Sequence, residues 1–283
     1  MENKKIQWHP AFCSAMKLEF LENKDDLIYQ SELGLNSKPI LIDLLVITKS
    51  PDVIINNEIG KIFKGHNIFE YKSPEDKLNI DTFYKGLAYT CLYKANGPKV
   101  NSIKADDITL TFVRHSKPVE LLKQLAADGY EISESSQGIY HMQISDLQFE
   151  IQIVVTSEVN EKEHVWLTSL AANLSEQKVE TLVIKTTELS SKDDKEWAES
   201  VLQVAMQANA DVFEKIKEDK QMCEALRELM KTEIEAEVNA AVEKAVKEAI
   251  SEKDAELDKK NSELDKKNAE IAELKRQLDL LTK

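Results

Sequence analysis

Three charged side chains, Asp43, Glu70 and Lys72, occur in a pattern that could form a metal-dependent hydrolytic centre. Asp43 interrupts the apolar run at residues 40–47, which is typical of a buried strand, where a lone carboxylate is costly unless a cation meets it. Glu70 and Lys72 are two residues apart, so on a strand they project from the same face while Tyr71 points the other way. Carboxylate oxygens are the ligands that magnesium prefers, and a neighbouring lysine can orient water or stabilise charge that develops on phosphate. The trio therefore has the composition of a phosphodiester-cleaving centre.

The surrounding sequence predicts the elements that would position this trio. Hydrophobic spacing and turn residues predict a helix at 9–23, paired strands at 27–35 and 39–48, a third strand at 67–72, a helix at 79–94 and a fourth strand at 108–114. The resulting order is α-β-β-β-α-β. Asp43 falls on the second strand, and Glu70 and Lys72 fall on the third.

This motif and this element order resemble the PD-(D/E)XK nuclease superfamily, whose pattern is an Asp on the second core strand and a Glu-x-Lys on the third. Within it, the nearest group is the bacterial recombination-promoting nuclease and transposase-like proteins. The resemblance covers about the first 115 residues. It implies an α/β fold with a restriction-endonuclease-like core, hydrolysis of nucleic acid, expected to be DNA, and Mg²⁺ as cofactor, for which Mn²⁺ can substitute. It also suggests a link to recombination or mobile elements.

The resemblance assigns roles around the metal. Asp43 and Glu70 would hold the ion, joined by Glu19 from the first helix and by the backbone carbonyl of Tyr71. Lys72 would position or activate the attacking water. For Glu19 the alternative is an ordinary solvated residue on the flank of the helix.

Substrate contacts are expected from Tyr84 and Lys85, early in the helix that follows the third strand. Their alternative is a core-edge aromatic ring and a surface lysine. The trio has an alternative too: Glu70 and Lys72 could form a same-face surface ion pair, with Asp43 capped by a backbone group, and such pairs contribute little to stability. The chain would then be an inactive nuclease-like binding or scaffold protein, or an unrelated α/β protein.

The chain beyond residue 115 divides into two further regions. Residues 116–192 form an α+β extension with a helix at 117–128, three short strands at 130–133, 138–144 and 148–155, and a last strand at 181–185. The three strands either extend the nuclease sheet or make a small companion sheet. Residues 193–283 contain no Gly or Pro and predict helix throughout.

The end of that helical region has the heptad pattern of a coiled coil from about residue 250. Apolar residues recur every seven positions at Ile250, Leu257, Leu264, Ile271 and Leu278. Taking these positions as d places Asn261 and Asn268 at a, where buried polar residues favour a defined register and a low oligomeric state. A parallel homodimer is the leading prediction. The alternatives are a partner's helix or a lone charged helix.

Composition limits the setting and the affinity for nucleic acid. The net charge is −14, but residues 1–104 hold 14 basic and 13 acidic residues, so the proposed catalytic segment is almost neutral. DNA affinity should therefore be weak and sensitive to salt. An odd number of widely spaced cysteines, no apolar leader and no bilayer-length stretch predict a cytoplasmic protein without a membrane segment. The five histidines lack ligand spacing and are interpreted as ordinary residues: His9, His66, His115, His141 and His164.

Overall fold

The computed structural model describes residues 7–34, 41–50, 52–145 and 147–216, together with the single residues Lys247, Lys253 and Lys260. The chain divides into two units, residues 1–226 and 227–283, and the fold below belongs to the first. Apart from Lys253 and Lys260, the predicted coiled coil lies outside the described residues, so dimerisation through it stays a prediction.

The first unit is an α/β structure built on a mixed sheet. Its described helices are α1 (Trp8–Glu19), α2 (Ile80–Ala95), α3 (Val119–Ala127), α4 (Val165–Thr168), α5 (Glu176–Glu188), α6 (Lys192–Ala208) and α7 (Ala210–Ile216). The described strands are β1 (Leu27–Gly34), β2 (Leu41–Thr48), β3 (His66–Lys72), β4 (Ile108–Arg114), β5 (Glu131–Ser136), β6 (Ile139–Gln143) and β7 (Glu150–Val155). They form one seven-stranded sheet in the order β1-β2-β3-β4-β7-β6-β5.

Strand β3 lies at the change of direction in this sheet. It pairs antiparallel with β2 on one edge and parallel with β4 on the other. The five central residues of β3 and the first six of β4 are buried, as expected for strands covered on both faces. A polar side chain on β3 therefore lies in the interior of the fold.

The two faces of β3 meet different helices. The Tyr71 ring stacks on Phe12 of α1, with ring centroids 4.4 Å apart. Ile68 belongs instead to the buried cluster that contains Phe83 of α2. Because side chains alternate along a strand, Glu70 shares the face of Ile68 and projects on the α2 side of the sheet.

Helix α2 is fixed close to the sheet at a glycine. Asn79 caps its N-terminus by accepting a hydrogen bond from the Thr82 N–H, which satisfies one of the free donors of the first turn. At Gly86 a Cβ atom would lie 2.5 Å from Cζ of Phe112 on β4. The absent side chain lets the helix approach β4, and this approach determines where the neighbouring Lys85 lies.

The three strands of the extension join the main sheet, which decides between the two arrangements that the sequence left open. Strand β7 pairs parallel with β4, and the β5–β6 hairpin continues the sheet from β7. The predicted last strand at 181–185 is wrong, because those residues lie within α5. Their apolar run is too short to separate helix from strand by pattern. In the structure, buried residues recur at helical spacing: Val179, Leu182, Val183 and Thr186.

Two predicted helices also differ from the structure. The first ends at Glu19 rather than at residue 23, and a single 3-10 turn, Leu21–Asn23, follows it. The predicted continuous helix from residue 193 is interrupted at Asn209. Its side-chain amide donates to the carbonyls of Ala171 and Ala205 and accepts from the Leu174 N–H. These tertiary bonds offset the lost helical ones and separate α6 from α7.

The described helices include none with the length and apolar character needed to cross a bilayer.

Candidate active site

Strands β2 and β3 separate beside Asp43. Their ladder ends at the pair Leu44 and Phe69, and the same register would next place Asp43 opposite Glu70. Instead, the main-chain N–H of Tyr71 donates to Asp43 Oδ2 at 2.8 Å. A side-chain carboxylate thus takes the place of a main-chain acceptor. The bond fixes Asp43 against the strand that carries Glu70.

Asp43 is largely enclosed, and nearby positive charge only partly offsets its burial. Its side chain is 17% exposed, and Oδ1 lies 3.7 Å from Nδ1 of His9. Burial raises the pKa of Asp43, and the Tyr71 N–H with the charges of His9, Lys72 and Lys85 only partly opposes that effect. A cation placed here would be stabilised by a carboxylate that the protein leaves incompletely neutralised.

Glu70 is the most strongly perturbed carboxylate of the trio. It is 5% exposed, and its Oε2 lies 3.8 Å from Nζ of Lys72. Its Oε1 is buried, and no described residue forms a hydrogen bond with it. Burial and the charge of Asp43 raise the pKa of Glu70 to about 8, against the opposing charges of Lys72 and Lys85. This geometry does not fit the surface-ion-pair alternative, because Glu70 is inside the protein.

Two further basic groups flank Lys72. Arg114 on β4 stands beside Lys72 in the parallel register, so the two side chains project from the same face. Lys85 is exposed on α2, with Nζ 5.4 Å from the centroid of the Tyr89 ring. A hydrogen bond with Tyr89, and then the charges of nearby groups that include Glu70, raise the pKa of Lys85. Lys85 thus lies within electrostatic range of Glu70, and its contact with a substrate stays a prediction.

Tyr84 and Tyr71 contribute differently. Tyr84 is 52% exposed beside Lys85 and makes an edge contact with Phe83, so its ring is available to a ligand. The Tyr71 ring faces α1. Since the N–H and C=O of one strand residue point to the same edge, the Tyr71 carbonyl faces the β2 side, where Asp43 lies. Only its main chain is directed toward the candidate site.

Glu19 is not brought to Asp43 and Glu70. His9, near the start of α1, lies beside the Asp43 carboxylate, and Cys13 Sγ contacts the Asp43 backbone carbonyl. Ten residues at 1.5 Å each place Glu19 about 15 Å farther along the axis than His9. Both Glu19 carboxylate oxygens are used elsewhere. Oε2 bonds to His164 Nδ1 at 2.8 Å, and Oε1 accepts from the Leu167 N–H at 3.0 Å.

Sequence reasoning missed His9 and Arg114 as neighbours of the trio. The signal for His9 was the requirement of buried Asp43 for a cationic partner, but its position depends on how α1 packs on the sheet through the Phe12 contact with Tyr71. The signal for Arg114 was its place at the end of a strand. Its alignment with Lys72 depends on the β3–β4 register, which the sequence does not show.

The arrangement suits a hard divalent cation. Two enclosed carboxylates and a main-chain carbonyl offer oxygen ligands, and the buried Glu70 Oε1 has no bond from the described residues. Fold and site together define an α/β protein with a carboxylate–lysine centre on its central strands. No model of a known protein family matches the chain, and neither a curated protein nor a solved structure shows a significant match.

Proposed function

We propose that this protein is a metal-dependent nuclease that hydrolyses phosphodiester bonds, with DNA as the expected substrate. The observation that carries the proposal is Glu70, a buried carboxylate beside Asp43 and 3.8 Å from Lys72, with one oxygen to which no described residue forms a hydrogen bond. Such a group is costly in the folded protein unless a cation compensates it. The order of the elements from α1 to β4 supports a restriction-endonuclease-like core.

In the proposed hydrolysis, some residues would bind the metal ion and another would position the water. Asp43, Glu70 and the Tyr71 carbonyl would hold Mg²⁺, or Mn²⁺ in its place. When bound, that ion would polarise the phosphate and lower the pKa of a coordinated water. Lys72 would position the attacking water beside Glu70. It would also balance the negative charge that develops on the phosphate.

Nucleic-acid contacts would come from the basic and aromatic groups around this centre. Lys85 and Arg114 flank Lys72, and exposed Tyr84 offers a ring on which an unstacked base can lie. Three basic residues in a chain of net charge −14 would give weak affinity that decreases as salt is added. A role in recombination or mobile-element biology rests on the family resemblance alone.

A catalytically inactive binding or scaffold protein is the second candidate. One observation favours it: Asp43 accepts a backbone N–H, the capped arrangement expected of a structural carboxylate. The same bond is compatible with metal binding, because it engages only Oδ2, and Oδ1 lies 3.7 Å from His9 Nδ1, beyond hydrogen-bonding distance. The two functions differ in their need for Glu70.

The deciding experiment measures cleavage of supercoiled plasmid and of single-stranded DNA in Mg²⁺ or Mn²⁺. Glu70→Gln and Lys72→Ala should each lower the rate by about 100-fold or more, since each removes a group that acts on the reacting atoms. Glu75→Gln and Lys77→Ala are matched controls, because both residues are exposed a few positions farther along the chain. Their cleavage rates should equal that of wild type.

Inactivity of the wild type with every metal and substrate would favour the scaffold function. Cleavage that survives Glu70→Gln at the wild-type rate would remove Glu70 from the mechanism. Circular dichroism of each variant separates loss of chemistry from loss of fold.

A further inference from the structure

A second group of potential ligands lies at the opposite end of α1 from Asp43. Glu58, Glu163 and His164 each offer one ligand atom, and these three atoms lie within 4.8 Å of one another. Glu58 begins a short 3-10 helix, Glu58–Ile62, and the other two residues directly precede α4. All three line a cleft of about 550 Å³. The cluster thus joins two segments that are distant in sequence.

In His164, Nδ1 contacts Glu19, whereas Nε2 has no hydrogen bond to any described residue. The His164 side chain is 2% exposed, and Nδ1 lies 2.8 Å from Glu19 Oε2. Its Nε2 is buried, and no described residue hydrogen-bonds to it. It lies 4.0 Å from Glu58 Oε2. An imidazole whose Nδ1–H donates to a carboxylate presents the Nε2 lone pair, which is the usual arrangement of a metal-binding histidine.

Glu19 is firmly held in the position that this arrangement needs. Its side chain is fully buried, its Oε1 accepts from the Leu167 N–H at 3.0 Å, and Asn57 Nδ2 donates to its backbone carbonyl at 3.0 Å. A carboxylate fixed from several directions sets the orientation of the ring it contacts. By fixing the His164 ring through Nδ1, Glu19 therefore sets the direction in which Nε2 points.

We propose that Glu58, Glu163 and His164 bind one divalent transition-metal ion of the Zn²⁺ type, with Glu19 as the positioning residue for His164. One imidazole and two carboxylates provide three ligands, which leaves a fourth position open to the cleft. Tetrahedral geometry at Zn–ligand distances of about 2.0–2.2 Å places ligand atoms roughly 3.4 Å apart. Half-buried Glu58 and exposed Glu163 can move the small distance needed to close the site.

The ligand types distinguish this site from the candidate active site. Imidazole favours zinc and related ions, whereas Asp43, Glu70 and the Tyr71 carbonyl form an all-oxygen set that suits magnesium. The second site does not depend on the proposed nuclease activity. A chain that cleaves nothing can still bind zinc at His164.

The test is a calorimetric titration of the full-length, chelator-stripped protein with Zn²⁺ alone, which gives the affinity and the number of ions bound. Wild type should bind one equivalent at the cluster. Glu163→Ala and His164→Gln should each weaken that binding at least 10-fold. Glu161→Ala is the matched control: Glu161 is exposed in the same loop and pairs with Lys178 at 2.7 Å, so its loss should leave the affinity unchanged. Glu19→Gln should weaken binding about 10- to 100-fold, as for other residues that orient a ligand.

Exposed Glu163 keeps the test valid even where a buried variant fails to fold. The double variant Asp43→Asn/Glu70→Gln, which lacks the candidate magnesium ligands, should still bind one Zn²⁺ with unchanged affinity. The proposal is overturned if wild type binds no Zn²⁺, if Glu163→Ala binds it as tightly as wild type, or if the double variant loses it. The first outcome would leave His164 as a protonated ion-pair partner of Glu19.

Discussion

The main-chain N–H of Tyr71 and the carboxylate of Asp43 are joined by a 2.8 Å hydrogen bond at the point where β2 and β3 cease to pair. The side chain of one strand thereby completes the hydrogen bonding of the next. Asp43 supports the strand edge through Oδ2, and in the proposed function it would also offer Oδ1 to the metal ion.

Replacing Asp43 should separate these two roles. Asp43→Asn keeps an oxygen that can accept the Tyr71 N–H, whereas Asp43→Ala leaves that donor unsatisfied at a cost of about 1–3 kcal/mol. Both variants should be inactive on DNA, but only the alanine variant should be clearly destabilised. Urea denaturation measures the difference, and equal stability of the two would show that the bond contributes little.

Glu70→Gln should change the pH dependence of stability in metal-free protein. The pKa of Glu70 is raised from 4.5 to about 8 in the folded chain, so between these values the folded state holds the extra proton. The free energy of unfolding then falls as pH rises, by at most about 1.4 kcal/mol per pH unit. The contribution is complete below pH 4.5 and is lost above about pH 8.

The glutamine variant lacks this loss, so its stability relative to wild type should increase from pH 5 to pH 9. Urea denaturation at several pH values in the presence of a chelator measures it. Glu75→Gln, at an exposed position, should retain the wild-type slope. Parallel curves for wild type and Glu70→Gln would contradict the raised pKa of Glu70.

Tyr71→Phe should preserve DNA cleavage, because the proposed contribution of this residue to the metal is its main-chain carbonyl. The hydroxyl is buried, and none of the described residues bonds to it. Removing it should leave stability unchanged or raise it by roughly 1 kcal/mol, since an unsatisfied polar group is lost. Thermal denaturation and plasmid cleavage provide the two measurements. A large loss of cleavage with the fold intact would assign the hydroxyl a role.

The predicted homodimer depends on heptads beyond the described residues. A chain that ends at residue 250 should be monomeric, whereas the full chain should be dimeric. The shorter chain lacks every apolar heptad position from Leu257 onward, and these positions form the predicted helix–helix contact. Light scattering gives both masses. Equal masses for the two chains would exclude association through this segment.

The strands of the site could be predicted because their signals are local. Alternating and continuous apolar runs with clear turn residues predicted β1–β4 to within a few residues, and the trio Asp43, Glu70 and Lys72 does meet on neighbouring strands. The run at 181–185 was misassigned because five residues are too few to distinguish the helical period from the strand period. The break at Asn209 was missed because it depends on bonds to Ala171 and Leu174.

Which residue of α1 reaches the candidate site depends on how the helix packs on the sheet, and the sequence pattern does not show this. The resemblance assigned Glu19 to the metal, but the structure brings His9 to Asp43 and bonds Glu19 to His164. Both residues lie on one helix, and sequence spacing alone does not show which end meets which strand. The cluster of Glu58, Glu163 and His164 was missed because its residues come from separate segments.

Helix α1 also separates the two candidate ion sites. Its His9 end lies at one candidate centre and its Glu19 end at the other, about 15 Å away along the axis. Two-metal phosphodiester cleavage needs ions roughly 4 Å apart to stabilise the attacking and leaving oxygens together. An ion at His164 would therefore be too distant to share that reaction, and the proposed hydrolysis at Glu70 would use only ions bound at its own end of the helix.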